Sequence, residues 1–220
     1  MSRGLAAGIL AGGRARRLGG IDKPRIAIDG RTIFARQLDV LAPRVDEVLV
    51  AIAPGAAPLA VPPRWHDRVR FVVDDVADAG PLAGVAALLA AARGSWLMVV
   101  AGDLPWLDGA AIDLLLAEVA AAGDAADAVA ARVGGLPEPL WAAYATRVAP
   151  VAARRIAAGR RKASGLLTDE GLRVRWLEEA ALRAVDPELR GLRDIDTPSD
   201  LPPEAADALP SRRACDLPEP

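Results

Sequence analysis

The sequence predicts an α/β domain, and three observations carry that prediction. The runs at 5–10, 48–52 and 96–101 are apolar without interruption, as strands of a parallel sheet covered on both faces must be. Between them lie stretches whose apolar residues recur at helical spacing, so strands and helices alternate along the chain. With 220 residues, 52% of them hydrophobic, the chain can bury a complete core as one domain.

The first run empties into Gly12-Gly13, followed by Arg14, Arg16, Arg17, Gly19-Gly20 and Asp22-Lys23-Pro24. Glycine pairs let backbone N–H groups approach an anion closely, and the arginine fork matches phosphate oxygens. A merely solvated loop is the competing explanation. Cations bracketed by glycine pairs directly after a buried strand favour a polyanion site instead. The spacing excludes a P-loop, because Lys23 is followed by Pro24 and not by a hydroxyl residue, and GxGxxG is absent.

Residues 25–29 alternate and Gly30 turns them. Thr32 is placed to cap a helix on which Phe34, Leu38 and Leu41 share a face, and Pro43 ends it. The strand at 48–52 leads into a proline-rich loop unsuited to a central strand, and a third strand is expected at 70–73. That strand runs into Asp74-Asp75 and then Gly80-Pro81-Leu82-Ala83-Gly84 before an alanine-rich helix, a segment that turn chemistry explains on its own. The strand at 96–101 delivers Gly102-Asp103-Leu104-Pro105. Open parallel sheets bind ligands beyond the carboxyl ends of their strands, where one carboxylate, with waters and phosphate oxygens, suffices for Mg²⁺. Asp103 is therefore the expected metal ligand, the next helix having its own cap near Asp108.

In the second half, a helix over 110–122 precedes a small-residue strand at 128–132, a Gly134-Gly135 turn and the segment 139–144. Its aromatics, Trp141 and Tyr144, suit stacking on a ligand and packing beside a core strand equally. A helix over 148–158 tolerates Pro150 in its first turn. Gly159-Arg160-Arg161-Lys162 then concentrates positive charge, which also suits the helix dipole. Thr197 and Pro198 have the order of an N-cap and first helical residue, and the segment from 202 reads as a frayed helix and flexible tail.

A net charge of −2 gives no global attraction to nucleic acid or anionic membrane. Cys215 and His66 are each the single residue of their kind, which excludes a disulfide framework and a Cys/His zinc site and argues against Cys-His or Ser-His-Asp catalysis. His66, in a polar stretch, reads as a solvated loop residue. Neither a signal peptide nor a membrane-length apolar segment is evident, so a cytoplasmic location is expected.

LAGGRARRLGGIDKP, residues 10–24, resembles the LAGGxxxRxGxxDK signature of a nucleotidyltransferase superfamily, and within it the molybdenum cofactor guanylyltransferases. GPLAG at 80–84, the Asp103 motif and RDIDTPSDL at 193–201 extend the likeness over about residues 5–201, the last serving only to check register. The resemblance implies a three-layer sandwich with a mostly parallel, Rossmann-like sheet of nucleotide-diphospho-sugar transferase type. It implies one domain over 1–201, with a nucleotide half to about 108 and an acceptor half beyond, and a tail over 202–220.

The implied reaction is transfer of GMP from Mg²⁺·GTP to molybdenum-molybdopterin. Nucleotide contacts fall on Leu10, Ala11, Gly12, Gly13, Gly19, Lys23, Asp75, Gly80, Pro81, Leu82 and Asp103, with Asp74 the alternative to Asp75. Arg17, Lys23 and Asp103 carry catalysis and Asp103 the metal, while Trp141, Arg160, Arg161 and Lys162 meet the acceptor. Glu138 stands where the family often has an amide, and Ala51 or Ala53 replaces a nucleotide-contacting asparagine. The implied partners are GTP and molybdenum-molybdopterin, with transient contacts to molybdoenzymes or other proteins of the pathway, and neither nucleic acid nor membrane. Two other readings stand beside this one. The first is a sugar-1-phosphate enzyme or a cytidylyltransferase of the same pathway, Gly12-Gly13 and GPLAG arguing against the cytidylyltransferase; the second is a non-catalytic GTP-binding assembly factor for a molybdoenzyme.

Overall fold

The computed structural model describes residues 4–12, 22–74, 80–168 and 171–207. Strand β1 (Leu5–Leu10) opens the main sheet. A hairpin of β2 (Ala27–Ile28) and β3 (Arg31–Thr32) leads to α1 (Ile33–Leu41), β4 (Glu47–Ile52), β5 (Val69–Val73), α2 (Pro81–Ala91), β6 (Trp96–Ala101) and α3 (Gly109–Ala122). The second half adds β7 (Ala128–Val133), β8 (Leu136–Ala145), α4 (Ala149–Ala157), α5 (Ser164–Leu167), β9 (Val174–Glu178), α6 (Glu179–Arg183) and α7 (Pro203–Asp207).

The sheet order is β5-β4-β1-β6-β8-β7-β9. Strands β5, β4, β1 and β6 are parallel, β8 is antiparallel to both of its neighbours, and β9 is parallel to β7. The mostly parallel α/β sandwich expected from sequence is therefore present. The reason lies in the strand period of two: in β6, Trp96, Met98 and Val100 enter a core with Leu38 and Leu41 of α1 and Leu115 of α3, while Leu97 and Val99 enter another with Leu88 of α2 and Ala152 of α4. Burial on both faces is what made these runs continuously apolar. Each fully buried Leu or Val contributes about 1.5–3 kcal/mol relative to exposure.

Local chemistry sets the boundaries. Thr32 accepts a hydrogen bond from Ala35 N at the start of α1, and Asp108 accepts one from Ala111 N at the start of α3. Asp29 and Gly30, at φ 50° and 71°, form the tight turn between β2 and β3. The loop after β4 closes in a short 3₁₀ segment, Pro63–Arg68, in which exposed His66 donates from Nε2 to Val61 O at 2.7 Å. Beyond residue 201, α7 continues the packed structure: Ala205 is buried with Leu201, Ile195, Ile26, Ile28 and Ile33 in a third, smaller cluster. Among the described residues no helix is long and apolar enough to cross a membrane.

Candidate active site

The C-terminal ends of β1 and β6 meet because neither carries bulk at the contact. Gly102 N donates to Leu10 O at 3.0 Å, and a Cβ on Gly102 would lie 2.5 Å from that same oxygen and 3.0 Å from Pro24 Cγ. Glycine is thus required by close approach. On the other side of β1, Ala11 N donates to Ala51 O at 2.9 Å, and the Leu10 side chain lies against Gly84 of α2, where a Cβ would come within 2.4 Å of Cδ2. Leu10 therefore connects the Asp103 turn to the first turns of α2.

Lys23 occupies the short 3₁₀ turn Lys23–Arg25, anchored by buried Pro24. Its Nζ donates to Asp103 Oδ2 at 2.8 Å and to Asp196 Oδ1 at 2.7 Å. Burial alone would lower its pKa, but hydrogen bonds and charge from Asp103 and Asp196 outweigh that and raise it above the ordinary lysine value. The ammonium is held protonated.

Asp194 and Asp196 flank Ile195 in an extended segment. Ile195 is fully buried in the third cluster and its N donates to Asp103 O at 3.2 Å, so the segment is planted beside the Asp103 turn. Asp200 Oδ2 accepts from Asp196 N at 3.0 Å and Thr197 N at 2.7 Å, closing the turn that follows. Carboxylate oxygens of Asp103, Asp194 and Asp196 all lie within 4.8 Å of one another. Burial, and then repulsion from Asp103 and Asp196, push the Asp194 carboxyl above its ordinary range; burial and then the charge of Asp194 do the same to Glu138. Asp103 and Asp196 both bond the Lys23 ammonium and Asp194 lies close to them, so acidic oxygens are concentrated at one spot. Hard oxygen donors at this span suit Mg²⁺ or Mn²⁺, and the Lys23 ammonium already sits where two of them share a cation.

The structure thus brings together Leu10, Ala11, Gly12, Lys23 and Asp103 from the sequence-derived set, with exposed Gly12 facing Ala53 N at 3.7 Å from its missing Cβ. Gly13, Arg17, Gly19 and Asp75 lie outside the described residues, while half-buried Asp74 donates from its N to Ile52 O at 3.0 Å. Gly80, at φ 66° and ψ −163°, opens α2 with Pro81 behind it, and both are exposed. Leu82 is fully buried, so only its backbone could meet a ligand.

The cations of Arg160, Arg161 and Lys162 follow α4, whose end is closed by Gly159 N to Ile156 O and Arg160 N to Arg155 O, both 2.9 Å. The backbone of this segment comes beside the α2 entrance, where Arg161 O is 3.7 Å from a Cβ built on Gly80. Trp141 is corrected by the structure: it pairs across β8 with Val100 of β6, is 2% exposed, and has no ring face to offer a ligand. Tyr144 is likewise buried, its OH donating to Pro139 O at 2.8 Å.

Sequence reasoning used the 193–201 motif for register alone and passed over Asp194 and Asp196. The available signal was the acid–apolar–acid alternation, which in an extended segment turns both carboxylates to one side.

A glycine-bearing strand end, a lysine and clustered carboxylates at the carboxyl rim of a parallel sheet define a nucleotidyltransferase. The chain belongs to the MobA-like NTP transferase family, whose domain matches residues 7–174. It is 33% identical over 197 residues to a probable molybdenum cofactor guanylyltransferase of Methanosarcina mazei, covering 88% of this chain and 86% of that one. It is 36% identical over 165 residues to the molybdenum cofactor guanylyltransferase of Pseudomonas putida, covering 74% and 82%. Among solved structures it resembles molybdopterin-guanine dinucleotide biosynthesis protein A of Archaeoglobus fulgidus, with a TM-score of 0.71 at 26% identity, covering 92% of this chain and 97% of the other. The 2-C-methyl-D-erythritol 4-phosphate cytidylyltransferase of Thermus thermophilus shares the fold, with a TM-score of 0.60 at 19% identity, covering 88% and 93%.

Proposed function

We propose that the protein transfers GMP from Mg²⁺·GTP to the terminal phosphate of molybdenum-molybdopterin, releasing pyrophosphate. The observation that carries this reading is Lys23 held between Asp103 and Asp196 at the joined ends of β1 and β6, in a chain related to named guanylyltransferases. The acceptor oxygen attacks the α-phosphorus in line while the bond to the β-phosphate oxygen breaks, so no protein nucleophile is needed. The backbone of Leu10, Ala11 and Gly12 seats the nucleoside, with Asp75 and the Gly80-Pro81-Leu82 turn toward the base. Gly13 and Gly19 line the phosphates, and Arg17 and Lys23 draw charge toward the departing pyrophosphate.

Asp103, joined by Asp194 and Asp196, would hold a Mg²⁺ ion, which when bound neutralises the phosphate oxygens. Arg160, Arg161 and Lys162 suit the anionic acceptor. Work in the cytoplasm alongside the molybdoenzymes served is part of the same reading.

The test is pyrophosphate release from a panel of GTP, CTP and UTP, with and without molybdenum-loaded molybdopterin. GTP-selective, acceptor-dependent release is expected. Preference for CTP, or binding of GTP with no release under any condition, overturns the proposal. Lys23→Ala and Asp103→Ala should each lower kcat/KM by about a hundredfold or more while circular dichroism stays unchanged.

A further inference from the structure

Helix α1 carries a polar residue where its apolar stripe should continue. Positions 34, 37, 38 and 41 lie on the core-facing side, and three of them are Phe34, Leu38 and Leu41; the fourth is Gln37, fully buried. Its Nε2 donates to Ala101 O at 2.8 Å and to Leu104 O at 3.1 Å. Those two carbonyls flank the Gly102-Asp103 dipeptide on either side. A single amide therefore grips both ends of the turn that carries Asp103, while Oε1 finds no donor among the described residues. Gln37 thus supplies two N–H groups to buried carbonyls, and a side chain without them would leave both carbonyls short of a donor.

We infer that Gln37 is a positioning residue for Asp103. The turn is restrained from three sides: Gly102 N to Leu10 O on β1, Ile195 N to Asp103 O from the acidic segment, and Gln37 from beneath. The first two contacts hold the middle of the turn, and Gln37 fixes where it leaves β6 and where it re-enters the core. Without the amide, the carbonyls of Ala101 and Leu104 lose their buried donors and rotate to seek others, taking the Asp103 carboxylate with them. The inference rests on the metal role proposed for Asp103, and its readouts are chosen to stand apart from the transfer reaction.

The test compares Gln37→Met, close in volume but without donors, with Leu38→Ala, a neighbouring core truncation that removes no hydrogen bond to the turn. The first readout is amide hydrogen exchange at Gly102 relative to Val99 in the middle of β6. The second is the dissociation constant of Mn²⁺ in the presence of GTP, by calorimetry. Gln37→Met is expected to speed exchange at Gly102 about tenfold relative to Val99 and to weaken Mn²⁺ binding about tenfold. Leu38→Ala should lower the melting temperature yet change neither ratio. An unchanged Gly102 ratio in Gln37→Met, a changed ratio with unaltered Mn²⁺ affinity, or equal effects in Leu38→Ala each overturn the assignment. Should wild-type protein bind GTP and Mn²⁺ but release no pyrophosphate, the proposed reaction falls while both readouts still decide the role of Gln37.

Discussion

Lys23 shares its ammonium between two carboxylates that a divalent ion would also claim. A metal held by these carboxylates would compete with the lysine, freeing its ammonium for a phosphate. Replacing the lysine by methionine removes the competitor. We expect Lys23→Met to bind Mn²⁺ in the absence of nucleotide about tenfold more tightly than wild type, in line with typical ion-pair effects, while GMP transfer falls steeply. Weaker Mn²⁺ binding in a calorimetric titration would refute the competition. Lys23 and Asp103 were legible from sequence because each closes a local pattern of strand, glycine and charge. Asp196 was not, since its partner lies 173 residues away and the local acid–apolar–acid pattern does not say which cation it meets. Gln37 hid for a related reason: one amide on an apolar stripe looks like a surface residue until its carbonyl partners are known. Trp141 misled in the other sense: β8 lies inside the sheet with both faces covered there, Trp141 in one core and Ala142 in the other, so the aromatic packs.

At the level of elements, the approach of α2 to β1 depends on paired glycines. A Cβ on Gly84 would come within 2.4 Å of Leu10 Cδ2, and one on Gly8 within 2.9 Å of Leu88 Cδ1. Gly84→Ala should cost about 1–3 kcal/mol in chemical denaturation and weaken GTP binding by displacing Leu10. Adding Leu10→Ala should recover much of that stability, a coupling that a double-mutant cycle measures directly. Simple addition of the two single losses would show that the contact is not the cause. The buried parallel strands and the caps Thr32 and Asp108 were readable because each rests on nearby residues. The reversed direction of β8 was not, since prolines at 137 and 139 argue against an interior strand. The structure accommodates Pro139 at an irregularity: pairing with β7 jumps from Ala130↔Ala142 to Ala131↔Glu138, leaving residue 139 unpaired on that side.

Across the whole molecule, the rim opposite Asp103 is gathered by Asp127. It accepts from Arg147 Nε at 2.9 Å and, through its other oxygen, from Arg173 Nε at 3.0 Å and Arg173 N at 2.9 Å. The end of β8 and the start of β9 are thereby tied to β7. Hydrogen bonding by Arg173 outweighs burial, and with Arg147 it holds the Asp127 carboxyl far below its ordinary value of 3.8. A carboxylate depressed in the folded state stabilises fully above its unfolded pKa, and that contribution is lost as pH falls toward the folded value. Asp127→Asn should therefore be less stable at pH 7 by about 1–2 kcal/mol, a figure kept small because both guanidinium partners are half-exposed. The gap should close progressively below about pH 4, with metal binding unaffected throughout. A gap that persists undiminished at pH 2, or a loss of Mn²⁺ affinity, would refute this.

The Lys23 contacts also span most of the chain, with 80 residues to Asp103 and 173 to Asp196. During synthesis, at about 5–20 residues per second, Asp196 leaves the ribosome roughly nine to thirty-five seconds after Lys23. A nascent chain thus carries its lysine and glycines long before the second carboxylate that bonds this lysine is made.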